Sequence, residues 1–157
     1  MKAITLENTE YEGENTAYLL DGGDSVTLVD TGVATEWGQS QLETGLAEHG
    51  VEIANVDAVV LTHWHADHAG LAGEVQHESG ATVYVHRDDA DLVAQRADAH
   101  DELREQQRAL FDEWGIPQDE LEELLARMSN GTAFTGRAPE VTPIDDGARL
   151  ELGGTAL

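Results

Sequence analysis

Apolar and polar positions alternate at short range over the first thirty residues. "KAITLE" (2–7) and "NTAYLLD" (15–21) are alternating or apolar runs, "GGD" (22–24) makes a turn, and "SVTLVDTG" (25–32) follows as a buried strand. That succession predicts an antiparallel β-meander. From Ala34 to Gly50 the period becomes helical, with Trp37, Leu42 and Leu46 inward and Gly50 past the end. "VDAVVLT" (56–62) is a continuous apolar run, the pattern of a strand buried on both faces. "GLAGEVQHESG" predicts a short helix closed by Gly80, and "ATVYVH" another buried strand. From Asp89 to about Trp114 the chain is helical and heavily charged, with Leu92, Ala99, Leu103, Leu110 and Trp114 on one face. A second helix starts near Pro117, whose missing N–H costs nothing in a first turn, and stops at Asn130-Gly131. Its stripe is Leu121, Leu124, Leu125 and Met128. The pair predicts a packed αα-hairpin inserted over about 89–130. The remainder, "APEVTPIDDGARLELGGTAL", returns to strand, with Gly153-Gly154 as a turn. No repeat, low-complexity tract or linker interrupts residues 1–157, so one α/β (α+β) domain is expected.

Composition adds one strong constraint. Thirty-two acidic residues face eight basic ones, Lys2 being the sole lysine, and the formal charge is −24. A charge of that size repels itself and disfavours the compact state. At roughly molar salt the screening length falls to about 3 Å and the repulsion largely disappears. Such a surface is expected of a cytoplasmic protein from a salt-loving organism. It also argues against nucleic acid as a partner, since there is no Lys/Arg patch to replace counterions. With no cysteine, disulfides, thiolate ligands and a cysteine nucleophile are excluded. No stretch approaches the length of a membrane span, and the amino terminus lacks an apolar signal core. A cytoplasmic protein acting on a small molecule, of unknown oligomeric state, is the expectation.

The chemistry lies in "THWHADHAG" (62–70). A strand ending in Thr62 hands the chain to a loop at the carboxyl edge of the sheet, where α/β proteins place their sites. His63 and His65 are two apart, so an extended segment points both imidazoles the same way. Two neutral imidazoles converging on one point suit a divalent first-row metal. Asp67 and His68 follow where the chain turns into the next helix, and they make half of a second metal position. Two metals roughly 3.5–4 Å apart can share a hydroxide and clamp the oxygens of a reacting carbonyl or phosphoryl group. The bland alternative is a set of hydrogen-bonded loop histidines. A lone HxH would favour it, but HxHxDH between an apolar strand and a Gly-containing helix favours metal. Of the other histidines, His49 sits at a helix C-terminus, His77 and His100 lie on polar helix faces, and His86 ends a strand, from which it could face the rim of the site. Trp64 is expected to pack. No GxSxG, Walker A or dinucleotide fingerprint occurs.

His63-Trp64-His65-Ala66-Asp67-His68 resembles the signature of the metallo-β-lactamase fold superfamily, and Asp30-Thr31-Gly32 resembles its upstream motif. The resemblance runs from about Thr5 onward, and the helical insert with "DDGARLELGG" is similar to glyoxalase-II-type hydrolases of that superfamily. It implies an αββα sandwich, with His63 and His65 on a first metal and Asp67 and His68 on a second. Asp67 would also orient the attacking hydroxide, and Asp30 would hold the metal loop by hydrogen bonds. Without the family pattern, Asp30 reads as a turn-forming aspartate before Gly32. Zinc is the implied metal, two ions per complete site, with iron or manganese as alternatives.

The function implied is hydrolysis of a thioester, ester or lactone by a metal-held hydroxide. Alternatives on the same fold are a phosphodiesterase or RNA nuclease and a mononuclear iron persulfide dioxygenase; an incomplete, non-catalytic fold is a fourth reading. Fold alone does not choose. The family pattern supplies the remaining ligands from further along: a histidine in a Pro-Gly-His segment, a bridging aspartate and a final histidine. No Pro-Gly-His occurs in residues 69–157, and the alternative is that His77, His86 or His100 completes the site in a shortened variant. The chain is therefore expected to be the amino-terminal part of a hydrolase, its other ligands beyond Leu157, and to be inactive alone.

Overall fold

A computed structural model describes residues 1–8, 13–129 and 135–156, the side chains at positions 119, 127–129 and 155 excepted. Strands β1 (Lys2–Glu7), β2 (Glu14–Leu20) and β3 (Thr27–Val29) form the expected meander, paired antiparallel in that order. Helix α1 (Glu36–Ala47) follows, then a 3-10 turn at Ile53–Asn55 and β4 (Ala58–Val60), which lies parallel to β3. Two short helices come next, α2 (Ala66–Ala69) and α3 (Ala72–Ser79), the second closed by Gly80 at φ 76°. β5 (Thr82–His86) then joins parallel to β4. Helices α4 (Arg87–Val93), α5 (Ala99–Glu113) and α6 (Gln118–Ser129) precede β6 (Val141–Ile144), which is parallel to β5. The six-stranded sheet thus runs β1-β2-β3-β4-β5-β6, and β7 (Glu151–Leu152) with β8 (Thr155–Ala156) makes a separate two-stranded ribbon.

The core lies between one sheet face and the helices. Ile4, Leu6, Ala17, Leu19, Leu28, Val59, Val83 and Val85 meet Leu42 and Leu46 of α1, Ala72 and Val75 of α3, and Ala90 and Val93 of α4. On the other face the register places Tyr18, Val29, Val60, Tyr84 and Thr142 in one row across five strands. The β7–β8 turn packs on the turn between β2 and β3. Gly22 donates to the Gly153 carbonyl at 3.0 Å, and Gly153 donates to Ser25 Oγ at 2.9 Å.

Several expectations are corrected. Trp37 does not face inward but is 54% exposed, because α1 begins at Glu36 with Thr35 Oγ1 capping Gly38 N–H, which turns Leu42 and Leu46 to the core. The helix expected over 89–114 is two: α4 starts at Arg87, and the chain breaks at Gln95, which takes the left-handed φ of 51°. The α5 stripe is not a buried face. None of its residues is buried, and Leu110 and Trp114 are 43% and 66% exposed, because α5 packs along α6 without reaching the sheet core. Leu121 and Leu125 of α6 are buried, and Leu124 partly so. The side chain of Met128 and the stop at Asn130-Gly131 lie outside the described residues. Of the strands expected to be buried on both faces, β3 and β4 largely are, with Thr27, Leu28, Ala58 and Val59 all buried and Val60 partly so. In contrast, β5 is buried on one face only, Thr82 being exposed and Tyr84 and His86 partly covered.

Candidate metal centre

The parallel strands β3 and β4 end side by side, and their carboxyl ends make the site. Asp30 N–H extends the ladder to the Val60 carbonyl at 3.0 Å. Asp30 then turns the chain at φ 60°, a conformation that Asp tolerates better than most residues. Its buried carboxylate receives three hydrogen bonds: Thr62 N–H on Oδ1 at 2.8 Å, and Thr62 Oγ1–H and His68 Nδ1–H on Oδ2, both at 2.8 Å. The two loops are locked a second time through the His68 carbonyl, which accepts from Thr31 N–H at 2.7 Å and Thr31 Oγ1–H at 3.0 Å.

This network fixes how the imidazoles present themselves. A carboxylate only accepts, so the single hydroxyl proton of Thr62 goes to Asp30. Thr62 Oγ1 therefore accepts from His63 Nδ1–H at 3.0 Å, and the lone pair of the neutral His63 ring sits on Nε2. His68 likewise gives its Nδ1 proton to Asp30. Its pKa is raised by that hydrogen bond, against the lowering effect of burial. His63 shifts the opposite way. Burial lowers its pKa, and the neighbouring His68 and His65 imidazoles lower it further because two cationic rings side by side are disfavoured, so the ring stays neutral near pH 7.

The four motif residues come together. The His63 ring centroid is 4.8 Å from that of His65 and 4.2 Å from that of His68, and Asp67 Oδ2 is 3.6 Å from His68 Nε2. His65 ends the extended stretch and caps α2, its carbonyl accepting from the His68 and Ala69 N–H groups. Asp67 and His68 thus stand in the first helical turn, as the motif predicts. Neutral imidazoles with Nε2 lone pairs beside a carboxylate are donors that fit a divalent first-row ion. Among the described residues, no group of three or more His, Asp or Glu side chains closes into a cage that could hold one.

The sequence reading missed three participants. Asn15 on β2 donates from Nδ2 to Asp67 Oδ2 at 2.9 Å and to the Asp67 carbonyl at 2.8 Å, so the carboxylate is held from a strand fifty residues away. Its only signal was an amide at the polar start of a strand, between Glu14 and Thr16. Thr62 was read only as a strand end. His100 is not on a purely polar face: its ring lies 6.0 Å from that of Trp64, edge-on at 69°. His86 accepts from Asp88 N–H at 3.3 Å and so caps α4.

Comparison with known proteins accords with this geometry. The family model of the metallo-beta-lactamase superfamily matches residues 11–155. The chain belongs to that superfamily. It is 34% identical over 107 residues to the protein named "Probable metallo-hydrolase YqjP" of Bacillus subtilis, covering 68% of this chain and 33% of that one. It is 38% identical over 82 residues to "Thioesterase pkgB" of Emericella nidulans, covering 51% and 23% respectively. Among solved structures it superposes on the metallo-beta-lactamase family protein TTHA1429 from Thermus thermophilus with a TM-score of 0.74 and 27% identity, over 99% of this chain and 49% of that one. The chain thus spans about a third or less of these curated relatives and about half of the solved one. The mixed sheet with helices on one face is the fold expected of the family. Among the described residues no helix is long and apolar enough to cross a membrane.

Proposed function

We propose that this chain carries the HxHxDH metal loop of a metallo-hydrolase that cleaves a thioester, ester or lactone. The observation that carries the reading is the cluster of His63, His65 and His68 with Asp67, braced by Asp30, at the carboxyl ends of β3 and β4. His63 and His65 would hold one ion, and Asp67 and His68 a second, with zinc as the proposed metal and iron or manganese as substitutes. When bound, such ions supply Lewis acidity toward a carbonyl oxygen and lower the pKa of water.

The chain's own residues have separable tasks. Asp30, through Thr62, keeps the Nδ1 proton on His63 and leaves Nε2 as the donor atom, and it does the same directly for His68. Asn15 holds Asp67 so that one carboxylate edge is already satisfied and the other remains to accept a proton-bearing oxygen. A relative named a thioesterase supports the acyl substrate class. The net charge of −24 disfavours a nucleic-acid substrate.

Two donors per metal position are fewer than the three that catalytic zinc sites generally have, so we propose that the 157-residue chain alone binds metal weakly and does not turn over. The test uses both this chain and a full-length protein containing it. Metal content would be measured after zinc loading, and hydrolysis of thioester, lactone and bis-p-nitrophenyl phosphate panels followed with parent and His65→Ala/Asp67→Ala protein. Thioester or lactone turnover confined to the longer parent supports the reading. Turnover that survives the double substitution sinks it, and cleavage of the phosphodiester alone would move the assignment to a nuclease.

A further inference from the structure

The three clustered imidazoles are not held alike. A metal-binding histidine is generally oriented by a hydrogen bond on its other ring nitrogen. His63 donates that bond to Thr62 and His68 donates it to Asp30. Among the described residues none hydrogen-bonds to the ring of His65, which is also the exposed member of the set. An exposed imidazole without such a bond has several rotamers open to it.

What His65 does have is Trp64. The two rings lie 4.3 Å apart at an interplanar angle of 36°. Neighbours in an extended strand point to opposite faces; here the chain bends at His65 into α2, and the two rings meet. The indole is itself anchored, since Trp64 is partly buried against the main hydrophobic cluster. It also meets the ring of His100, the second residue of α5, at 6.0 Å and 69°. That is the edge-to-face arrangement aromatic rings prefer. A chain of rings therefore runs from the helical insert to the metal loop.

We propose that Trp64 is the positioning residue of His65, taking the place of the missing hydrogen bond, and that His100 braces Trp64 from the insert. The role rests on the metal-loop reading above. It gives the otherwise exposed α5 a task at the site: its first turn sets the orientation of one ligand.

The experiment has a metal-free arm and a metal arm, both on the full 157-residue chain. In the first, the imidazole ring protons are assigned by NMR without metal. Stacking on an indole shifts the His65 ring protons upfield. Trp64→Ala should return them toward free-histidine positions while those of His63 and His68 stay put, and Trp64→Phe should keep most of the shift. His100→Ala should move His65 in the same direction by less, with His100→Phe restoring it. Unchanged far-ultraviolet circular dichroism confirms that each variant folds. In the second arm, Co2+ is titrated and its visible absorption read. Trp64→Ala should weaken Co2+ binding about 10-fold, the lower end of what losing a ligand's orienting partner costs, and Trp64→Phe far less. His65 shifts indifferent to Trp64→Ala, or Co2+ affinity equal in parent and Trp64→Ala but lost in His65→Ala, would overturn the positioning role and leave the metal reading intact. A chain that shows the ring shifts but takes up Co2+ no better than His63→Ala/His65→Ala would overturn the metal reading and the role with it.

Discussion

Asp30 holds both halves of the site with one carboxylate. It receives Thr62 N–H, Thr62 Oγ1–H and His68 Nδ1, each at 2.8 Å, and it does so from a buried position. Asparagine tolerates the same positive φ, so Asp30→Asn changes charge and acceptor count with little backbone strain. Hydrogen bonds to a charged group are worth more than neutral ones, and the substitution should cost about 1–3 kcal/mol by urea denaturation. It should also release the Nδ1 tautomer of His68, visible in its ring 15N shifts. A variant as stable as the parent, with the tautomer unchanged, would show that Asp30 is only a turn residue. Gly70 is the matching contact on the other loop. A Cβ there would meet the carbonyls of Ala66 and Gly32 and the Ala34 nitrogen, all of them backbone atoms that cannot swing aside. Overpacking of this kind costs about 1–3 kcal/mol, so Gly70→Ala should lower the unfolding midpoint and spread the two loops; no loss would mean that they pack less tightly than the geometry states.

At the scale of elements, the insert divides into a helix with two buried leucines and one with no buried residue. Leu121 of α6 is fully buried, whereas Leu110 of α5 is largely open. Leu121→Ala should therefore cost about 2–5 kcal/mol, the range for a core leucine, while Leu110→Ala should stay within about 0.5 kcal/mol, as exposed substitutions do. Equal costs at the two positions, read from thermal or urea unfolding, would mean that α5 is covered in solution. Sequence periodicity assigned both helices the same status, because a repeating apolar stripe reports which face can be buried and says nothing of what lies opposite. The same limit explains Trp37: its period fitted the inner face of α1, but the cap at Thr35 fixed the helix phase on Leu42 and Leu46. The meander, the Gly80 stop and the short helix after the motif were legible because each rests on contacts between near neighbours in the chain. The HxHxDH cluster was legible for the same reason. Asn15 and His100 were not, since only the pairing of β2 beside the loop and the break at Gln95 bring them to it.

For the whole molecule, charge outweighs any single contact. Lys2, Arg87, Arg96, Arg104 and Arg108 are each paired with an acidic side chain at the surface. Eight cationic residues in all cannot match 32 acidic ones, so the negative charge stays in large excess. Exposed pairs contribute little individually, so the balance is set by repulsion among the remaining acids, and that term depends on ionic strength. With a screening length of about 10 Å at 0.1 M salt, carboxylates on neighbouring helices still repel; at about 3 Å near 1 M they do not. Raising KCl from about 0.1 M to about 1 M should therefore raise the unfolding temperature, and a gain of about 2 kcal/mol would appear as roughly 4–8 °C for a chain of this size. KCl is the salt to use, because sulfate or phosphate would also stabilise by exclusion from the surface and hide the origin of the effect. Charge repulsion predicts a further signature: lowering the pH toward the sequence pI of about 4.2 neutralises carboxylates and should shrink the benefit of salt. A melting temperature indifferent to KCl at pH 7 would remove the case for a salt-adapted protein. A KCl benefit just as large near pH 4.2 would show that the salt acts by something other than screening.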